Sequence, residues 1–471
     1  MNHDSIFSRG FYLSKERRSD DVLKDWACAF VGGYVFQFHP KTSYYITQST
    51  FGDKSIIIIG LPVDLENINA RGQEVTNKCS HILETSGFEC AQRYVAYLGG
   101  RYLAFFISHN ENICIIPDCH ATYSCYYTEK NGGSFSSHVN LLGKIENLNV
   151  NETARSIVNS PQYISPGGKY YPALLLPYEN ATTLLPNCRL ENSLESSRII
   201  NKRFYPFSDI DLAPHLSKKE LIFNFKQLLS LNIKGIVGDR DFYISLTGGM
   251  DSGVTLSSVI NEGLNRNAKA FTYFNASAIN TESVKDIMSA SDRAFSNNIP
   301  YKVVNLKPLE LSSHFHQMYT KSFRYGARFP SLARAYYEEL PHDILSLVST
   351  CSETGTGFYR ERETKNISAD LLARKFSESE IRKNKTLLES FESYIEYSNF
   401  RECSLGPLDF YDVFYWEHRN AKWASLWYAE ADLSHFTVVP FNQRNIIEVM
   451  LSLPFEERLN KIILKESLGK L

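Results

Sequence analysis

The chain has 471 residues, of which 43% are hydrophobic and 22% charged, and its formal net charge at pH 7 is -2. This composition is ordinary for a globular protein, and the length predicts two or more domains. A nearly neutral chain without a basic stripe argues against nucleic acid as a partner. The longest apolar runs, such as residues 55–63, are too short to cross a bilayer. We therefore expect a cytoplasmic protein with no membrane partner.

The first 200 residues show mostly strand patterns. Residues 55–62 form an apolar run typical of a buried strand, and residues 74–86 have the spacing of an amphipathic helix. Residues 101–107 and 112–118 predict a hairpin. A second strand pair is expected on either side of an Asn-Gly turn at residues 131–132.

Residues 99–127 combine a Gly-aromatic-apolar strand with a later Pro117-Asp118 and a Tyr126-Tyr127 pair. This order resembles the glutaminase domain of asparagine synthetases, which implies an Ntn-hydrolase-like αββα domain over residues 1–206. In active members an N-terminal Cys is the nucleophile and its free amine is the base. Here position 2 is Asn2 and the first cysteine is Cys28.

The resemblance therefore implies a degenerate glutaminase-like domain without its catalyst, as in β-lactam synthetases and lasso-peptide cyclases. The alternative, that a longer precursor is cleaved to expose another N-terminal nucleophile, stays open. The nine cysteines form no CxxC pair, so we expect reduced thiols rather than a zinc site.

Strand and helix patterns alternate through the second half of the chain. Strands are expected at 242–246, 268–274, 301–306 and 344–350, with helices at 216–233, 282–298, 310–323 and 331–339. This order predicts an α/β fold with a parallel sheet and right-handed crossovers. Ligands of such sheets bind at the carboxyl ends of the strands.

The first of these strands runs into a glycine-rich loop that reads LTGGMDSG over residues 246–253. Two glycines let the backbone turn tightly and approach a ligand, and the helix that follows presents free amides to an anion. Asp251 would repel a bare phosphate, so it indicates a divalent cation between the two. The loop is not a Walker loop, because no Gly-Lys-Ser/Thr follows the glycines.

The loop resembles the SGGxDS pyrophosphate loop of N-type ATP pyrophosphatases, with Thr247 in place of the usual Ser. The resemblance implies that residues 207–471 form an asparagine synthetase-like domain of the adenine nucleotide α-hydrolase-like fold, with ATP and Mg²⁺ as cofactors. The implied ATP and pyrophosphate ligands are Leu246, Thr247, Gly248, Gly249, Asp251 and Ser252. Thr272 and Tyr273, at the end of the second strand, are the candidates beside the nucleotide.

Residues 349–359 fall where asparagine synthetases carry the motif S-G-E-G-A-D-E-x-x-x-G-Y, and Glu353 is the acidic residue that remains. We expect Glu353 to bind metal together with Asp251 or to act as a base, with Tyr359 as its partner. The alternative is a carboxylate that caps a helix. The charged stretch 360–398 predicts a solvated helical insertion, with a substrate lid as the alternative and Arg360 and Arg362 as phosphate candidates.

Two later segments also resemble the family. Residues 410–423 match a helix that suggests Arg419 as a ligand for phosphate or a substrate carboxylate, and residues 440–448 suggest Arg444 in the same way. Residues 461–466 match the K-x-x-L-R/K-E helix. The lysine-bearing loop that follows in the family is absent, so Lys461 is the candidate catalytic lysine, with Lys465 as the alternative.

The sequence thus predicts an ATP-dependent, AMP-forming ligase that adenylates a small-molecule or peptide carboxylate and forms an amide with ammonia or an amine, without using glutamine. The alternative is a non-catalytic ATP-binding or partner protein derived from asparagine synthetase. The acyl substrate, the amine and the product stay open. So does the oligomeric state, for which a homodimer is one candidate.

Overall fold

The computed structural model describes residues 5–50, 52–164, 168–192, 198–212, 215–362, 364 and 366–469. Asn2, on which the expected loss of the nucleophile depends, lies outside the described residues. Within the described ranges, no helix has the length and apolar character needed to cross a membrane.

Two antiparallel sheets of six strands each make up the first half of the chain. One has the order β10-β8-β9-β1-β3-β2 and the other β12-β11-β7-β6-β5-β4, for these strands: β1 (Phe11–Ser14), β2 (Ala27–Val31), β3 (Tyr34–Phe38), β4 (Tyr44–Gln48), β5 (Lys54–Val63), β6 (Gly99–Ser108), β7 (Ile113–Pro117), β8 (Tyr126–Thr128), β9 (Ser134–Ser136), β10 (Thr182–Thr183), β11 (Cys188–Asn192) and β12 (Ile199–Arg203). In the described part of this half, four α-helices accompany them: α1 (Gly72–Ser86), α2 (Phe88–Ala96), α3 (Val139–Ile145) and α4 (Glu152–Asn159).

Alternating side chains of β5 show how the layers stack. Ile57 and Ile59 pack with Phe36 and Phe105 between the two sheets. Ile56 and Ile58 point to the other face and pack with residues of α1 and α2. Helix α3 contacts β8 and β9 of the other sheet. The order helix, sheet, sheet, helix confirms the expected αββα architecture.

The second half contains a five-stranded parallel sheet with the order β15-β14-β13-β16-β17. Its strands are β13 (Phe242–Ser245), β14 (Ala268–Phe274), β15 (Tyr301–Asn305), β16 (Leu345–Val348) and β17 (Phe436–Val438). The chain adds β14 and β15 on one side of β13 and then returns to add β16 and β17 on the other. The order therefore reverses between β13 and β16, which is where open α/β sheets form their binding crevice.

Helices surround the parallel sheet and complete the second half. They are α5 (Lys218–Val237), α6 (Met250–Asn261), α7 (Thr281–Ser296), α8 (His314–Phe323), α9 (Pro330–Glu339), α10 (Ala369–Phe376), α11 (Lys385–Tyr397), α12 (Phe410–Phe414), a π-helix (Tyr415–Ala424), α13 (Ser425–Ala431), α14 (Arg444–Leu451), α15 (Phe455–Leu459) and α16 (Ile462–Ser467). The α/β fold class is confirmed. The division of the chain at residues 206 and 207 stays a prediction.

The expectation of a solvated insertion over residues 360–398 is wrong. Helices α10 and α11 bury Leu371, Phe376, Phe391 and Tyr394 in the main core. The charged residues that dominate this stretch of sequence lie on the outer faces of these helices. Because they outnumber the apolar residues, the buried apolar face of each helix was not recognised from the sequence.

Arg362 and Arg444 do not occupy positions that fit phosphate binding. Arg362 forms an ion pair with Asp412 at 2.6 Å. Arg444 is fully buried and donates hydrogen bonds to Ala96 O at 2.5 Å and Asn187 Oδ1 at 3.1 Å. Both arginines therefore connect structural elements, and Arg444 joins the two halves of the chain.

Candidate active site

The glycine loop and the turn that carries Glu353 follow two neighbouring strands. Strands β13 and β16 pair in parallel, with Ser245 opposite Val348. The loop 246–249 continues from β13 into α6, and residues 349–354 continue from β16 into a short 3-10 turn, Ser352–Thr354. Both segments therefore lie at the same edge of the sheet, at its switch point.

Hydroxyl groups shape the glycine loop from inside. Thr247 N–H donates to Ser252 Oγ at 3.1 Å, and Gly249 N–H donates to Thr247 Oγ1 at 3.0 Å. From outside, Arg293 Nη1 on α7 donates to Thr247 O at 3.2 Å and to Gly249 O at 2.9 Å. The Ser252 hydroxyl also lies within hydrogen-bond distance of these two carbonyls, so the protein's own side chains hold the loop.

Helix α6 begins behind the loop, and its first turn has amides available for an anion. Its N-cap residue is Gly249, which has no side chain to cap the helix. The loop amides themselves are engaged: besides those of Thr247 and Gly249, Gly248 N–H donates to Asp286 Oδ1 at 3.1 Å. A Cβ atom at Gly248 would lie 2.8 Å from that same oxygen, so a larger residue here would displace the Asp286 carboxylate. The amides available at this terminus are therefore those of the first turn of α6, and helix N-termini of this kind favour anions.

Two carboxylates lie beside this helix terminus. Asp251 Oδ1 accepts a hydrogen bond from Ser352 Oγ at 2.5 Å, which ties the loop to the turn after β16. Glu353 Oε2 accepts a hydrogen bond from the Tyr415 hydroxyl at 3.4 Å. Burial raises the pKa of Glu353, and the negative charge of Asp251 raises it further. The two acidic groups therefore share one electrostatic environment.

A lysine partly neutralises these carboxylates. Lys461 precedes α16, and its Nζ lies 4.0 Å from Asp251 Oδ2. The same ammonium group lowers the pKa of Glu353 and so opposes the effect of burial. The structure thus brings together Asp251, Glu353 and Lys461, which are far apart in the sequence.

These residues fit a magnesium ion that arrives with phosphate rather than a permanent metal centre. Mg²⁺ is usually held by one or two carboxylates together with substrate phosphates and water, and Asp251 and Glu353 supply two carboxylates. In the part of the chain that the structure describes, no group of three or more His, Cys, Asp or Glu side chains is placed to hold a metal. The remaining ligands would come from phosphate and water.

The turn that presents Glu353 has a strained start. Cys351 has φ +71°, in the left-handed region that a non-glycine residue rarely adopts. Its side chain is fully buried, and burial raises the pKa of its thiol. Strain of this kind concentrates at functional sites. Here it turns the chain sharply so that Ser352 and Glu353 face the glycine loop.

The π-helix forms one wall of the crevice. Its side chains at four-residue intervals, Tyr415, Arg419 and Trp423, lie along a common face. The Tyr415 ring stacks on Phe358 at 4.4 Å, and the Arg419 guanidinium lies 5.0 Å from the Phe358 ring and 5.4 Å from the Trp423 ring. Single π-turns inside helices are frequent at functional sites, and this segment has the widened winding over ten residues.

The nucleotide-side candidates are close to the loop. The Thr272 hydroxyl donates to Leu246 O and accepts from the Tyr301 hydroxyl at 2.8 Å, so it supports the loop from below. Tyr273 is half-buried, and its ring meets Phe329 edge-on at 6.3 Å. The Leu246 side chain is buried, so this residue offers backbone atoms only.

Tyr359 lies farther from the acidic pair than the sequence suggested. Its ring is buried against Phe414 at 5.9 Å, and Tyr415 makes the hydrogen bond to Glu353 that was expected from Tyr359. A role for Tyr359 in catalysis stays a prediction, as do the other assignments of site residues.

Three residues at the site were not singled out from the sequence: Asp286, Arg293 and Tyr415. Asp286 and Arg293 both belong to α7. Their spacing of seven residues places both on one face of α7, which was a signal for a shared contact. The contact of Tyr415 depends on the π-helix and could not be derived from spacing.

Comparisons with known proteins give only distant structural likenesses. No protein-family model matches the chain, and no curated protein matches it. Among solved structures, NMN synthetase from Francisella tularensis is 15% identical, with 41% of this chain and 78% of that chain covered and a TM-score of 0.19. Glutamine PRPP amidotransferase from B. subtilis, complexed with ADP and GMP, is 10% identical. The match covers 83% of this chain and 74% of that chain, with a TM-score of 0.25.

Glutamine-dependent NAD+ synthetase from Acinetobacter baumannii, in complex with ADP, is 13% identical. The match covers 51% of this chain and 42% of that chain, with a TM-score of 0.21. Sequence identities and TM-scores as low as these carry no argument about the reaction of this protein.

Proposed function

We propose that the protein is an ATP-dependent ligase that forms AMP and pyrophosphate, activates a carboxylate as its acyl adenylate and transfers the acyl group to an amine or ammonia. The observation that carries this proposal is the position of two carboxylates and a lysine at the uncapped N-terminus of α6. Asp251 lies 4.0 Å from Lys461 Nζ, and its charge acts on Glu353. A site with this distribution of charge suits Mg²⁺ and pyrophosphate together.

In the first step, an oxygen of the substrate carboxylate attacks the α-phosphorus of ATP. The bond from that phosphorus to the bridging oxygen breaks, and pyrophosphate leaves with the electron pair. The amides of the first turn of α6 and the Lys461 ammonium group stabilise the charge that develops on the leaving group. A bound Mg²⁺ would supply further positive charge between pyrophosphate and the carboxylates of Asp251 and Glu353.

In the second step, the amine nitrogen attacks the acyl carbon of the adenylate. The bond to the AMP oxygen breaks, AMP leaves with the electron pair, and the nitrogen loses a proton. Glu353 is the group placed to take that proton, because its raised pKa gives it greater affinity for a proton than an ordinary carboxylate has. The Tyr415 hydroxyl orients it through the hydrogen bond to Oε2.

The amine is proposed to come from solution rather than from glutamine. Position 2, where active members of the resembled family carry the nucleophilic cysteine, is Asn2 in this sequence. A glutaminase assay on the purified full chain tests this directly. Release of glutamate from glutamine would contradict this part of the proposal.

Pyrophosphate–ATP exchange tests the adenylation itself. Exchange that depends on one member of a panel of amino acids, dicarboxylates and short peptides is expected, and Asp251→Asn should abolish it. Asp292→Asn makes the same chemical change at an exposed position of α7 and should leave exchange intact. Binding of Mg·ATP without exchange for any carboxylate would instead support the alternative, a non-catalytic ATP-binding protein.

A further inference from the structure

A cavity of about 290 Å³ lies between α4, residues 169–171 and the loop after α8. Its lining contains three cationic side chains and three tyrosines: Arg155, Lys169, Arg324, Tyr170, Tyr171 and Tyr325. Among the described residues that line it, none is Asp or Glu. The cavity therefore has a positive potential and aromatic walls, although the net charge of the whole chain is slightly negative.

The positive charges of the cavity's Arg and Lys side chains are only weakly neutralised by carboxylates. Arg155 Nη1 pairs with Glu152 at 2.8 Å, but the Glu152 side chain is 74% exposed, so water screens that pair. Lys169 Nζ donates to the carbonyl of Ser160 at 3.1 Å. Arg324 is exposed and lies 5.1 Å from the ring of Tyr325. Among the residues that the structure describes, Lys169 and Arg324 have no carboxylate within 4.0 Å.

Arg328 connects the cavity to the candidate active site. It directly follows residues 324–327, which line the cavity. A Cβ atom built on Gly168 would lie 3.7 Å from Arg328 Cγ. The Arg328 guanidinium stacks on the Trp423 ring at 3.7 Å, and its Nε and Nη1 are buried with no hydrogen-bond partner in the described structure. A buried donor without a partner is costly, and an anionic ligand would satisfy it.

From Trp423 the contacts continue along the π-helix face through Arg419 and Phe358 to Tyr415, which binds Glu353. Tyr170 joins the same wall from the cavity side. Burial raises the pKa of the Tyr170 hydroxyl, and the neighbouring Arg419 guanidinium lowers it through its charge and a hydrogen bond. One wall of cationic and aromatic groups thus runs from the acidic pair to the cavity.

We propose that this cavity binds a second anionic group, a carboxylate or a phosphate, of the substrate whose reacting carboxylate lies at Asp251 and Glu353. The acyl substrate is accordingly at least a dianion. Arginine and lysine recognise such oxyanions by charge-assisted hydrogen bonds, and Arg324 has the fork geometry for two of them. The substrate assignment rests on the proposed ligase function, whereas the anion site itself can be tested without any turnover.

The first experiment places a fluorotyrosine at position 325 of the full chain and follows its fluorine resonance during titration with inorganic phosphate. A saturable shift is expected that equal additions of chloride do not produce. In Lys169→Gln/Arg324→Gln, the affinity should fall at least about tenfold. Lys219→Gln/Lys226→Gln removes the same charge from exposed positions of α5 and should keep the affinity. A shift that does not saturate, or equal weakening in both double variants, would overturn the anion site.

The second experiment compares a dicarboxylate with its monoamide in pyrophosphate–ATP exchange. The dicarboxylate should have a KM lower by about tenfold or more, and the difference should vanish in Lys169→Gln/Arg324→Gln while the Kd of Mg·ATP stays unchanged. Equal KM values in the unmodified protein would overturn the dianion assignment. If no carboxylate supports exchange but phosphate still binds at the cavity, the ligase function and the substrate assignment fail and the anion site stands.

Discussion

Replacing Lys461 with methionine removes the ammonium group that lies 4.0 Å from Asp251 Oδ2. Two unit charges at that distance interact by about 4 kcal/mol at an effective dielectric constant of about 20. We assign the charge that develops on the leaving pyrophosphate a similar distance from Lys461, and because this side chain is 33% exposed we take about half of that energy, about 2 kcal/mol, as the transition-state stabilisation that is lost. A loss of about 2 kcal/mol lowers the rate about 30-fold.

The assay is single-turnover formation of AMP, with Lys465→Met, one helical turn farther along α16, as the matched control. We expect kcat to fall in Lys461→Met with little change in the Kd of Mg·ATP, because the lysine stabilises charge that develops as pyrophosphate leaves. A folded Lys461→Met protein with an unchanged kcat would refute this role. So would an equal loss in the Lys465→Met control.

Three further perturbations follow from the site. Arg293→Met removes the two hydrogen bonds from the guanidinium to Thr247 O and Gly249 O and leaves only those from the Ser252 hydroxyl, so the Kd of Mg·ATP measured by calorimetry should rise about tenfold; an unchanged Kd would mean that the loop keeps its shape without Arg293. Glu353→Gln tests the raised pKa of this carboxyl. The folded protein holds the proton more tightly than the unfolded chain, so stability falls as pH rises from the ordinary glutamate range through the raised pKa. The melting temperature of Glu353→Gln should therefore exceed that of the unmodified protein at pH 8 and match it at pH 4, whereas a pH-independent difference would contradict the assignment. Arg362→Ala breaks the ion pair with the buried Asp412 and should lower the free energy of unfolding in urea by about 2–3 kcal/mol. The exchange rate of the folded fraction should stay unchanged, and a specific loss of exchange would restore Arg362 as a phosphate ligand.

The sequence predicts the centre of the second half well because two local signals coincide there. The apolar strand before Ser245 sets the sheet position, and the glycine pair followed by a helix pattern sets the anion site. Strand β14 appears over the residues where it was expected, 268–274. Strand β17 was missed, because three residues, Phe436–Val438, are too short for a period-two pattern to be distinguished from a loop.

The partners of single side chains were harder to predict, because they depend on how distant elements cross. Tyr359 is six residues from Glu353 in the sequence, yet Tyr415 binds Glu353 because the π-helix passes over the turn after β16. Arg444 looked like an anion ligand, but it is fully buried, and its Nη1 and Nη2 donate to Ala96 O and Asn187 Oδ1 across the junction between the two halves. A sequence pattern shows that a donor exists, and only the packing shows which acceptor it meets.

Transfer of an oxygen atom tests the central claim most directly. The carboxylate that supports exchange is labelled with heavy oxygen in both positions, and the AMP formed during amide synthesis is examined by mass spectrometry. If the carboxylate attacks the α-phosphorus at the site formed by Asp251, Glu353 and Lys461, AMP carries one heavy oxygen atom. Unlabelled AMP, or amide formation with release of ADP and phosphate, would contradict the account.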